Sequence, residues 1–111
     1  MRVAISAAAE VKPDSLVVMD LRGISSFTEQ FLICSAGSER QVHAIADRIE
    51  EGLSAEQVRL HHREGYEEAK WILLDYGDLI IHIFDEETKD YYDLERLWRD
   101  APRTRIIPPE A

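Results

Sequence analysis

The chain has 111 residues, of which 22 are acidic and 13 are basic, so its net charge at pH 7 is −9. This length suits a single domain, and the negative charge argues against a protein that binds nucleic acid by neutralising phosphates. The single cysteine excludes an intramolecular disulfide, and no apolar run approaches the roughly 18 to 20 residues that span a bilayer. We therefore expect a cytoplasmic protein with no targeting peptide, no membrane contact and little direct nucleic-acid contact.

The first part of the chain predicts two strands. Residues 15–22 contain two adjacent β-branched residues, Val17 and Val18, and are bounded by Pro13 and Gly23, which is typical of a strand. Residues 30–35 are apolar enough for a strand that is buried on both faces. Cys34 lies in this second strand, and we expect it to be a buried small apolar residue and not a nucleophile.

A helix is predicted next. Ser38 and Gln41 match a capping box, which places the start of the helix just after Ser38. Gly52 provides a stop near its end. Apolar residues then recur at steps of three and four and predict one buried stripe: Val42, Ile45, Ala46, Ile49 and Leu53.

The second half of the chain predicts three more strands and a short helix. Residues 58–66 form a polar strand that ends at a turn at Gly65, and residues 71–84 contain two apolar strands around the sequence Asp-Tyr-Gly-Asp. Near the end, Asp90 or Asp93 can cap a helix before Pro102. Tyr91, Leu94, Leu97 and Trp98 recur at helical spacing and predict a short stripe along one face of this helix.

This order of elements predicts an α/β (α+β) fold with a single mixed β-sheet of about five strands and flanking helices. Residues 1–100 should form the domain. Residues 101–111 end in a proline-rich sequence and should form a loose C-terminal tail.

Residues 71–84, WILLDYGDLIIHIF, predict a β-hairpin with Tyr76 and Gly77 in a two-residue turn. This turn pairs Trp71 with His82 and brings Asp75 opposite Asp78. Because side chains alternate, one face is aliphatic throughout and is a core face. The other face mixes aromatic, aliphatic and charged residues: Trp71, Leu73, Asp75, Asp78, Ile80, His82 and Phe84.

Three interpretations of this mixed face remain open. It can be a wall of the core that is half covered by the terminal helix, with the carboxylates solvating the turn. It can be an exposed surface for a protein partner, since aromatic and aliphatic residues bordered by charge are typical of such patches. It can also be a catalytic or metal site in which Asp75 and Asp78 hold Mg²⁺.

Several segments in order resemble one family, the Iojap-related ribosomal silencing factors (RsfS). They are VVMDLRGISSFTEQFLICSAGSERQV, the EGY turn, WILLDYGDLIIHIF and YYDLERLW, and together they extend over roughly residues 10–100. The resemblance implies a non-enzymatic translation repressor without a cofactor. Such a factor binds the large ribosomal subunit through its ribosomal protein fourteen and blocks joining of the small subunit.

The resemblance also implies that relatives form homodimers and that some act in ribosome assembly. In this family the tryptophan that opens the WILLDYGD segment belongs to the docking surface, and Trp71 matches that position. From the hairpin geometry we extend the partner-binding site to Leu73, Asp75, Ile80 and His82.

The family fold is related to nucleotidyltransferases, so the rival function is a small Mg²⁺-dependent phosphotransfer enzyme. Those enzymes resemble this chain at Gly37-Ser38, which open a helix. They also need an Asp-x-Asp pair on a following strand, and the sequence contains none. Since Asp75 and Asp78 are three positions apart across a turn, nucleotidyl transfer is disfavoured.

Overall fold

Four helices and six strands lie within residues 1–106, the part of the chain that the computed structural model describes. The helices are α1 (Arg2–Glu10), α2 (Glu39–Ala55), α3 (Glu86–Tyr92) and α4 (Leu94–Leu97). The strands are β1 (Ser15–Asp20), β2 (Gln30–Ala36), β3 (His62–Glu64), β4 (Trp71–Asp75), β5 (Leu79–Asp85) and β6 (Arg103–Arg105). None of these helices is both long enough and apolar enough to cross a membrane.

All six strands form one mixed sheet in the order β3-β4-β5-β2-β1-β6. The central pair, β2 and β5, is parallel, and the other neighbouring pairs are antiparallel. The predicted mixed α+β fold is therefore confirmed. The predicted strand over 58–66 is shorter in the structure, where only β3 forms, as an exposed edge strand.

The sixth strand, β6, was not predicted. It pairs with β1 and lies within the segment that the sequence assigned to a loose tail, so that prediction is wrong for Arg103–Arg105. The guanidinium groups of Arg103 and Arg105 lie 3.6 and 2.9 Å from a carboxylate oxygen of Glu95, which joins this strand to α4. The rest of the predicted tail, residues 107–111, lies outside the described residues.

The larger core lies between the sheet and α2. The side chain of Ser38 accepts a hydrogen bond from the backbone N–H of Gln41 at 3.2 Å, which confirms the predicted cap. All five residues of the predicted stripe are buried. Cys34 is fully buried in this core as expected, and burial raises the pKa of its thiol.

Helix α1 was not predicted, and it packs against α2. Its buried face consists of alanines, Ala4, Ala7 and Ala8, which carry little signal in a hydrophobic pattern. Gly52 was expected to end α2, but the helix continues through it to Ala55. A Cβ at Gly52 would lie 3.1 Å from Cγ1 of Val3, so the glycine permits the close approach of α1.

A smaller core lies on the opposite face of the sheet, beneath α4 and the segment that follows it. Its buried members are Val17, Met19, Leu21, Phe31, Ile33, Ile80, Phe84 and Ala101. Trp71, Leu73, Leu94 and Trp98 pack against them and are partly buried. The mixed face of the hairpin is therefore the floor of a second core and is only partly open to solvent.

The predicted terminal helix is two helices in the structure. The Asp85 side chain caps α3 by accepting from the N–H of Thr88 at 2.8 Å. Asp93 then adopts a left-handed conformation, with φ of +44°, between α3 and α4. This break changes the helical phase, so the predicted stripe is wrong for Tyr91 and Leu97, which are 81% and 71% exposed.

Candidate protein-docking surface

The hairpin of β4 and β5 turns at Gly77 and Asp78, one residue later than predicted. Gly77 has a φ of +90° and is the first central residue of the turn, where a type II′ hairpin takes glycine. The N–H of Tyr76 donates to the carbonyl of Leu79 at 2.9 Å and closes the turn. The ring of Tyr76 is buried in the larger core, which keeps this residue in the sheet and out of the turn.

This turn corrects the predicted strand register by two residues. Trp71 pairs with Phe84 and not with His82, while Leu73 pairs with His82 and Asp75 with Ile80. A shift of two leaves every paired side chain on its predicted face, since side chains alternate with a period of two.

The structure brings the five predicted site residues together, but only three of them reach solvent. Trp71, Leu73 and Asp75 on β4 are half-buried. Ile80 is 8% exposed and His82 is 4% exposed, because the smaller core and its covering segment enclose β5. Direct contact of a partner with Ile80 or His82 is therefore not available in this conformation.

His82 contacts Trp71 from beneath. The indole Nε1 of Trp71 lies 3.0 Å from Nδ1 of His82 and donates a hydrogen bond to it. The imidazole ring stacks at 13° to Phe84 and meets Phe31 edge-on at 4.5 Å between centroids. Desolvation in this apolar setting lowers the pKa of His82 to about 4, so the ring is neutral at pH 7.

The two carboxylates of the turn do not face each other. Asp75 Oδ1 accepts a hydrogen bond from the N–H of Gly77 at 2.8 Å, so this carboxylate stabilises the turn. Asp78 is a turn residue, and its carbonyl accepts from the N–H groups of Glu29 and Gln30 at 3.0 Å. Among residues 1–106, no group of three or more His, Cys, Asp and Glu is arranged to hold a metal ion.

Exposed aromatic residues lie against Trp71 and Trp98, and the sequence did not predict them as a group. Tyr92 lies on the Trp71 ring at 4.6 Å between centroids and contacts Tyr91 at 5.0 Å. Phe27, from the loop between β1 and β2, is 60% exposed and meets Trp98 at 6.3 Å. Leu97 lies in the same cleft as Tyr91 and Tyr92. We call these residues together the aromatic surface: Phe27, Trp71, Tyr91, Tyr92, Leu97 and Trp98.

The chain around the aromatic surface is acidic. Residues 85–100 contain seven acidic and three basic side chains, and the carboxylate of Glu95 is already engaged by Arg103 and Arg105. Exposed Asp90 and Asp93 lie beside Tyr91 and Tyr92, and the exposed arginines Arg96 and Arg99 line the same cleft. A large exposed apolar patch with a charged border is typical of a protein-binding surface.

Comparisons with known proteins identify relatives along the entire chain. The model of the family described as "Ribosomal silencing factor during starvation" (RsfS) matches residues 1–111. The ribosomal silencing factor RsfS of Halalkalibacterium halodurans is 37% identical over 96% of this chain and 91% of its own length. The chloroplastic Iojap protein of Zea mays is 30% identical over 86% of this chain and 41% of its own length.

Solved structures agree with the fold. A crystal structure of a protein from Bacillus halodurans superimposes with a TM-score of 0.83 at 35% identity and covers 95% of both chains. A crystal structure of a protein from Chromobacterium violaceum gives a TM-score of 0.86 at 31% identity, over 88% of this chain and 82% of that one. With the family model matched from end to end, the chain belongs to the RsfS family of ribosomal silencing factors.

Proposed function

We propose that this chain represses translation by binding the large ribosomal subunit through ribosomal protein fourteen and sterically blocking the small subunit. Membership of the silencing-factor family supports a role at the ribosome. The proposal includes no catalytic step and no cofactor, and it makes the cytoplasm the site of action. A role in ribosome assembly would use the same docking site.

The observation that carries the proposal is the exposure of the aromatic surface. The larger core is closed by α1 and α2, whereas the smaller core leaves Trp71 half-buried and Tyr91, Tyr92, Leu97 and Phe27 exposed. Burying such residues against a partner removes apolar area from water, which is the main favourable term in protein association. Aromatic residues also dominate measured binding hot spots.

Trp71 is the proposed central anchor. Its ring lies between the sheet residue Phe84, at 5.0 Å, and Tyr92 of α3. An anchor that is already half enclosed loses little conformational freedom on binding. In the bound state Leu73 and Asp75, which follow on the same face of β4, extend the contact along the strand.

The charge of the chain favours a protein partner with Lys and Arg side chains. Acidic residues at the border of the aromatic surface would pair with them and steer the encounter, while RNA phosphate would be repelled. This chemistry is consistent with docking on a basic ribosomal protein and with only peripheral contact to RNA. The homodimer implied by the family resemblance remains part of the proposal, with no interface assigned.

The test is co-sedimentation of the chain with purified large ribosomal subunits. Truncating a central aromatic anchor costs about 2 kcal/mol or more, so we expect Trp71→Ala to weaken binding about thirtyfold. Val58 is a matched control, since it is an exposed apolar residue near the end of α2, on the other side of the sheet. Val58→Ala should bind as the unmodified chain does.

Circular dichroism establishes that both variants are folded before binding is measured. Unchanged binding by folded Trp71→Ala would contradict the proposed docking surface. Crosslinks from the bound chain should map to ribosomal protein fourteen, and crosslinks confined to other subunit proteins would contradict the proposed partner.

A further inference from the structure

The hydrogen bond between Trp71 and His82 joins the half-buried indole ring to a buried imidazole ring. An indole N–H can only donate, so Nδ1 of His82 must be the acceptor and must carry no proton. The proton of the neutral imidazole is then on Nε2. That atom is buried and has no hydrogen-bond partner among residues 1–106.

A buried imidazole with one unsatisfied nitrogen is costly for stability. A buried donor left without a partner carries the full penalty of its removal from water. The surroundings of His82 are Phe31, Phe84 and Trp71, so an aliphatic side chain of similar size would fill the same space without that cost. Packing therefore does not explain why a histidine occupies position 82. The one hydrogen bond of its side chain is the bond with Trp71.

Aromatic packing alone leaves the Trp71 ring poorly fixed. The ring is tilted by 32° to Phe84 and by 49° to Tyr92, and Tyr92 belongs to α3, a helix of seven residues with no buried side chain. Tilted ring contacts are tolerant of sliding, whereas a hydrogen bond fixes both distance and direction. The bond to His82 is therefore the contact that defines the orientation of the indole plane.

We infer that His82 is a positioning residue: it holds the Trp71 ring in its docking orientation and does not itself touch the partner. The inference rests on the proposed docking function of Trp71. It replaces the expectation that His82 binds the partner directly with a role that its burial permits. Preorganising an anchor in this way improves affinity by reducing the ordering that binding requires.

Two substitutions of similar size separate the hydrogen bond from the packing. His82→Asn keeps an acceptor oxygen near the position of Nδ1, and His82→Leu fills the same space with no acceptor. We expect His82→Leu to weaken binding to large subunits about tenfold. We expect His82→Asn to remain within about threefold of the unmodified chain.

A spectroscopic readout reports on the bond without the ribosome. The indole N–H signal of Trp71 in a ¹⁵N–¹H spectrum is assigned by its disappearance in Trp71→Phe. We expect this signal to move upfield in His82→Leu and its hydrogen to exchange faster with solvent, while His82→Asn preserves both. An unchanged signal in His82→Leu would overturn the inference, as would a changed signal with undiminished binding.

The unmodified chain provides a further test if the His82 variants do not fold. Long-range ¹⁵N correlation of the imidazole should show Nδ1 unprotonated and Nε2 protonated, and a protonated Nδ1 would overturn the inference. The Trp71→Ala experiment distinguishes the two proposals. If Trp71→Ala binds normally, the docking function fails, and if only Trp71→Ala loses binding while His82→Leu does not, the positioning role alone fails.

Discussion

Burial of His82 predicts a specific loss of stability in mild acid. The pKa of His82 is lowered to about 4 from an ordinary value of 6.5, because the apolar surroundings disfavour the charged ring. The unfolded chain therefore binds this proton at a higher pH than the folded chain does. The contribution of the neutral His82 ring to the free energy of unfolding is fully present above pH 6.5. It decreases as the pH falls and is lost by about pH 4.

The magnitude follows from the shift. Each pH unit between 6.5 and 4 lowers the free energy of unfolding by about 1.4 kcal/mol, so the loss at pH 5 is about 2 kcal/mol. Over the full shift the loss reaches about 3 kcal/mol. For a domain whose total stability is on the order of 5 to 15 kcal/mol, such a loss is easily measured.

Urea denaturation at pH 7, 6 and 5 is the assay, with His82→Asn as the matched control. Other groups titrate in both proteins, so the difference between their pH dependences isolates His82. Between pH 7 and pH 5 we expect the free energy of unfolding of the unmodified chain to fall by about 2 kcal/mol more than that of the variant. Parallel pH profiles for the two proteins would refute the assignment of a neutral, desolvated imidazole.

The remaining predictions concern close backbone approaches and are checked by the same denaturation assay. Gly65→Ala places a Cβ 2.0 Å from the carbonyl oxygen of Trp71 and should prevent stable folding. Gly23 has a similar positive φ but nothing within 4 Å, so Gly23→Ala should lower the free energy of unfolding by only about 1 to 2 kcal/mol. Equal losses of stability in the two variants would contradict this contrast. Gly52→Leu should cost about 1 to 3 kcal/mol by overpacking α2 against α1, while Ser54→Leu, on the exposed side of the same helix, should be nearly neutral.

The elements with a strong periodic signal were predictable from sequence. Helix α2 combines a capping serine with a full apolar stripe, and β2 is an apolar run, so each local signal agrees with the tertiary structure. Helix α1 escaped prediction because its buried face is made of alanines. Strand β6 escaped because its three residues form a strand only beside β1 and the carboxylate of Glu95.

The candidate site was predictable in its location but not in its detail. The alternation of side chains predicted that Trp71 and His82 lie on the same face. This prediction is correct although the predicted register is wrong, because the register differs by two residues. Burial of Tyr76, a tertiary effect, moved the turn by one position. The left-handed residue Asp93 split the terminal helix and turned Tyr91 outward, and the apolar pattern alone did not indicate this.

The most direct test of the account is a subunit-joining assay. Purified small and large ribosomal subunits are mixed with the chain, and formation of the complete ribosome is followed by light scattering. We predict that the unmodified chain and Val58→Ala reduce joining. Folded Trp71→Ala should require an about thirtyfold higher concentration for the same reduction. Joining that proceeds undiminished with saturating unmodified chain, or that Trp71→Ala inhibits equally well, would contradict the account.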